Sequence, residues 1–131
     1  MINSAEEFIA LRDSEKKEEY DRSAQEEAPN HVWIDIINRF PEYQKWVAHN
    51  KTVPLEILEE LCKHGPETRQ FVATKRKLSK ELFYLLANDA ESTVRQAIAA
   101  NKKAPIDILN FLINDDDEDV ASVAKYNIQN R

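Results

Sequence analysis

The sequence predicts an all-α protein, an α-solenoid of about four units of 25 and 26 residues behind an N-terminal capping helix. Three observations predict it. The phrase that opens Val47-Ala48-His49-Asn50 returns at Val72 and again at Ile98, in steps of 25 and then 26 residues. Within these lines Ile57, Leu82 and Ile108 share one column and Leu61, Leu86 and Leu112 another, and apolar residues recur at three- and four-residue spacing, as one helix face requires. Pro54 and Pro105 stand where helices should begin, because proline suits the first turn and its missing N–H costs nothing there.

Residues 3–19 read as one capped helix, with Phe8, Ile9 and Leu11 available to dock, inside an N-terminal cap of residues 1–21. Stepping back 25 residues from Pro54 lands on Pro29 and places Val32, Trp33 and Ile36 beneath Ile57, Leu58 and Leu61, so a degenerate unit covers 22–46. Units follow at 47–71, 72–97 and 98–123. In each, a shorter helical segment (67–74, 91–100) precedes a longer one (54–63, 79–88, 105–114), with Ser79 taking the proline column as a cap or first-turn residue. Residues 124–131 begin one more line, with Asn127 beneath Asn101, and close the stack as a C-terminal cap. The whole of 1–131 is expected to be one helical-repeat domain.

Composition narrows function. Hydrophobic residues make up 42% and charged residues 32%, ordinary for a soluble helical protein. No apolar run approaches the ~18 residues of a membrane span, and the start of the chain is acidic and polar, so the expected compartment is the cytoplasm. A single glycine, Gly65, excludes the glycine-rich loops that cradle phosphates, and no nucleotide or other cofactor is expected. The lone Cys62 cannot form an internal disulfide and falls in an apolar column, which predicts a packed thiol. The net charge of −6 sits at the front, where residues 1–46 carry 11 acids against 6 bases.

The signature Val94-Arg95-Gln96-Ala97-Ile98-Ala99-Ala100-Asn101, followed by Pro105, Leu109 and Leu112, resembles the leucine-rich repeat variant, a relative of HEAT and armadillo repeats. The resemblance covers roughly residues 22–127. It implies units that pair a longer helix with a shorter one, often 3₁₀ in character, wound into a right-handed superhelix. It implies architecture only, since the family shares no single activity. The cysteine cluster that one member carries for an iron–sulfur centre has no counterpart here. In size, acidic balance and architecture the chain is also similar to immunity proteins of bacterial toxin systems.

Candidate binding residues fall in two sets of turns. Those after the shorter segments hold His49 and Lys51, then Lys75, Arg76 and Lys77, then Lys102 and Lys103, a basic ridge suited to an acidic partner or a phosphate backbone. Those after the longer segments hold Asp89 and Glu91, then the acidic alternative Asp115, Asp116, Asp117, Glu118 and Asp119. The acidic run lacks the spacing, bend glycine and distal glutamate of an EF-hand, and its last members suit a helix N-terminus. His31, His49 and His64 lie in different columns, so no metal site and no catalytic triad is expected. Trp33 and Trp46 fall in core columns, while Tyr84 is the tyrosine best placed to face solvent. These readings predict a non-enzymatic protein-binding module, most concretely an immunity protein bound to a toxin or nuclease domain, and monomeric when free. Nucleic-acid association through the basic ridge, or a scaffold role, is the alternative.

Overall fold

Helix follows helix wherever the three-and-four spacing places apolar residues on one side. The computed structural model describes residues 1–131 and contains ten α-helices, one 3₁₀ turn and no strand. Contacts divide the chain into two compact units, Met1–Lys63 and His64–Arg131.

The first unit contains α1 (Ala5–Asp13), α2 (Lys17–Gln25), α3 (Asn30–Arg39), the 3₁₀ turn Pro41–Tyr43, α4 (Gln44–His49) and α5 (Leu55–Leu61). Ser4 caps α1 by accepting from the Glu7 N–H, and of the three expected docking residues Phe8 and Leu11 are buried while Ile9 is half-buried. The single helix expected over 3–19 is broken at Ser14. Its hydroxyl accepts from the Lys16 N–H at 3.1 Å and donates to Glu19 at 2.6 Å, local bonds that compete with the helical ladder. The chain turns there and restarts as α2, which crosses the expected boundary at residue 22. Phe8 meets Trp33 edge to face at 5.5 Å, and Val32, Trp33, Ile36 and Ile37 line the buried side of α3.

The second unit contains α6 (Pro66–Ala73), α7 (Lys80–Ala87), α8 (Ser92–Ala100), α9 (Ile106–Leu112) and α10 (Glu118–Gln129). Its core is the columns read from sequence: Leu82, Leu86, Ile98, Ile108 and Leu112 are buried. Ser79 caps α7 through the Leu82 N–H at 3.2 Å. Pro105, like Pro54 in the first unit, is the extended residue just before its helix. The expectation of short then long segments is reversed. The supposedly longer helices α5, α7 and α9 have 7, 8 and 7 residues, against 8, 9 and 12 in α6, α8 and α10. The first residue of each longer segment is its cap, and its end dissolves into tight turns such as Asn88 N–H to Leu85 and Asp115 N–H to Leu112. The boundary expected at 123–124 lies inside α10, which runs through it unbroken.

Side-chain amides reach back 24 to 28 residues to fasten one part of the chain to another. Asn101 donates from Nδ2 to the Ala73 and Lys75 carbonyls at 2.9 and 2.7 Å. Asn127 repeats this on the Ala99 and Asn101 carbonyls at 2.8 and 3.0 Å. In the first unit Asn50 does the same to Ser23 and Glu26 at 2.8 and 3.0 Å. All three asparagines are buried, so these bonds satisfy carbonyls that would otherwise be stranded at helix ends. No residue in either unit has a positive φ.

Candidate functional site

The second unit carries ten acids and ten bases, so the whole net charge of −6 belongs to the first unit, with fourteen acids against eight bases. Neutral in sum, the second unit is polarised in space. The turns after α6 and α8 hold Arg76, Lys77, Lys102 and Lys103, all exposed, with Lys75 half-buried. Arg76 and Lys102 come together on one cleft of about 230 Å³, so this stretch of the expected basic ridge is assembled by the fold. His49, expected in the turn, is instead the exposed last residue of α4, and Lys51 is exposed in the turn beyond it.

The turns after α7 and α9 are built around guanidinium clamps. Arg69 on α6 grips Asp89 through Nε and Nη2 at 2.7 and 3.1 Å, and Arg95 on α8 grips Asp115 in the same way at 2.9 and 3.1 Å. Both pairs span 20 residues, and the second lies 26 residues beyond the first. Burial pushes the Asp89 and Asp115 carboxyls up, but the arginine bonds, helped by the backbone N–H groups of Glu91 and Asp117, outweigh it and hold both below the usual carboxylate value. Asp117 caps α10 by accepting from the Asp119 and Val120 N–H groups, and Glu118 and Asp119 occupy its first turn, as the sequence implies. Of the five acidic candidates, therefore, Asp115 and Asp117 hold the fold. Asp116, Glu118 and Asp119 are exposed.

Between the two sets of turns, α7 and α9 pack side by side and turn matching faces to solvent. Leu85 is 55% exposed and Phe111, 26 residues on, 54%. Tyr84 at 43% and Ile106 at 49% lie on the same faces. Two contacts cross from helix to helix on this side: the Tyr84 hydroxyl donates to Asp107, and Lys80 Nζ stands 3.7 Å from the same carboxylate. At the C-terminal ends of both helices, Phe111, Asn88, Asn114 and Asp116 border a cleft of about 470 Å³ floored by the Arg95–Asp115 pair. Sequence reasoning put Tyr84 at the surface, where it lies, but Tyr126 at 68% is the more exposed tyrosine, and Leu85 and Phe111 were missed. The signal was present, because the run from Leu82 to Leu86 is apolar at every position and a helix buries only part of such a run.

The remaining candidates are dispersed. Trp33 is fully buried. Trp46 is only half-buried, correcting the core assignment, because the Arg12 guanidinium covers its ring at 3.6 Å in place of a packed aliphatic neighbour. Cys62 is likewise half-buried, since it lies just past the last turn of α5. Tyr43 is held by Asp13, which pushes its phenol up to about 12. No group of three or more His, Cys, Asp or Glu side chains converges to a metal-sized set. No helix is long and apolar enough to cross a membrane. Comparison with protein-family models, with curated proteins and with solved structures finds no match to this chain.

Proposed function

We propose that the chain is a non-enzymatic protein-binding module made of HEAT-like units, and that its contact surface in the second unit is the paired outer face of α7 and α9. The observation that carries this reading is the in-register exposure of Leu85 and Phe111, with Tyr84 and Ile106 beside them. Large apolar and aromatic side chains left together at the surface of a soluble chain mark a place where another protein excludes water. The recurrence of Asn50, Asn101 and Asn127, and of the Arg69–Asp89 and Arg95–Asp115 pairs, supports the repeat architecture. Neutralisation of a bacterial toxin domain, in the manner of an immunity protein, is the most concrete form of this proposal.

The test is affinity capture from the source organism with the native chain and a Leu85→Ser/Phe111→Ser variant in parallel, both nuclease-treated. One stoichiometric protein retained by the first and lost by the second is the expected result. Equal capture by both would remove this face from the proposal. A toxin identified in this way should be silenced by co-expression with the native chain only.

A second reading rests on a different observation. Arg76, Lys77, Lys102 and Lys103 are exposed and form no ion pair, which suits a phosphate backbone. Retention of a duplex oligonucleotide at low salt, with a steep loss as salt rises, would favour it.

A further inference from the structure

The face of α7 and α9 has a chemical polarity that narrows its partner. One turn before Leu85 and Phe111, at matching positions, stand the exposed Glu81 and Asp107, and just beyond the other end stands the exposed Asp116. The single base on these faces, Lys80, is already turned toward Asp107. Asn88 commits its Nδ2 to the Tyr84 carbonyl at 2.8 Å, which leaves its Oδ1 as an acceptor toward the cleft it borders. Both helices end at this cleft, and helix C-termini favour positive charge. The apolar strip is thus framed by carboxylates and side-chain oxygens, and apart from Lys80, paired with Asp107, and Arg95, paired with Asp115 beneath the cleft, the bases of the unit lie elsewhere.

We propose that this face receives a basic amphipathic segment of a partner protein, its apolar side resting on Leu85 and Phe111 and an arginine or lysine entering the cleft between Asp116, Asn88 and Asn114. Phe111 borders that cleft, so a guanidinium there also meets an aromatic ring. The inference rests on the protein-binding reading and adds the chemistry of the partner to it. A partner with an acidic contact surface would meet Glu81 and Asp116 as like charges and be rejected.

The probe is a helical peptide of about four turns with leucine on one side and arginine along the border, compared with the same peptide carrying glutamate for arginine. Backbone amide shifts of the full chain are followed on titration. Shifts should centre on residues 85, 88, 111, 114 and 116 for the arginine peptide and be absent for the glutamate peptide. Phe111→Ser should weaken binding about tenfold, Asp116→Lys about fivefold, and Leu85→Ser should follow Phe111→Ser should the latter lose its fold. Equal, Phe111-dependent binding of both peptides would overturn the basic partner and leave the protein-binding reading standing. Shifts spread over the acidic first unit, unchanged by all three substitutions, would overturn the proposal as general charge attraction. Failure of both peptides, with a native mass that rises with concentration, would overturn it in favour of a second copy of this chain on the face.

Discussion

In the turn after α8, a neutral carboxamide reaches back to carbonyls at the end of α6 and in the turn beyond it; at the turns after α7 and α9, a guanidinium reaches forward to a carboxylate. Both devices tie together segments 20 to 28 residues apart, yet they differ in what they leave at the surface. The Asn101 rung places no charge in the interior, so Arg76, Lys77, Lys102 and Lys103 are unencumbered and stand in water. The Arg95–Asp115 clamp encloses two charges, with only 18% and 8% of their side chains exposed, and each needs the other. The lesson is that part of the charge in the acidic turns is structural, whereas the exposed bases Arg76, Lys77, Lys102 and Lys103 leave the structural work of their turns to the neutral Asn101.

The largest expected effect comes from deleting a rung. Asn101→Ala removes both carbonyl contacts and the bond its Oδ1 accepts from the Lys103 N–H at 2.9 Å. A loss of about 3 kcal/mol is expected in urea denaturation, as buried carbonyls are left unpaired. A loss under about 1 kcal/mol would mean that water replaces the rung. Arg95→Met should cost about 2 kcal/mol by stranding Asp115, and adding Asp115→Leu should recover most of that, since an apolar pair replaces an ion pair well. No recovery in the double variant would show that Asp115 is needed for its bond to the Asp117 N–H instead.

Acid separates the two devices further. The Asp89 and Asp115 carboxyls are held below their unfolded value, so their contribution is fully present above pH of about 4 and is lost as pH falls through the lowered folded value. The deficit of Asn101→Ala should therefore be flat with pH, while that of Arg95→Met should shrink on acidification as Asp115 takes up a proton. Parallel pH profiles would break the distinction. The smallest effect is expected from Arg76→Glu with Lys77→Glu, within about 0.5 kcal/mol in the same denaturation series.

Much of this was legible in the chain. The columns of Ile57, Leu82 and Ile108 become core, and Ser79 and Asp117 become caps because periodicity and cap chemistry are local properties. The break at Ser14 escaped, since a hydroxyl that bonds its own backbone interrupts a helix without disturbing the hydrophobic pattern. The clamps escaped for a different reason: each joins residues 20 apart, a contact set by packing. Their trace in the sequence was the shared step of 26 from Arg69 to Arg95 and from Asp89 to Asp115. Exposed Leu85 and Phe111 escaped because an apolar residue on a helix does not by itself say whether its side of the helix is covered.

The backbone that never enters the left-handed region has a consequence for how such a chain diversifies. No turn here is sterically reserved for glycine, and even Gly65, with an ordinary φ of −67° and nothing within 4 Å of where a Cβ would stand, accepts a side chain. Turn positions that carry no rung or clamp can therefore exchange their lettering while the helices keep their grammar, which makes the scaffold suited to acquiring new partners by substitution at those positions.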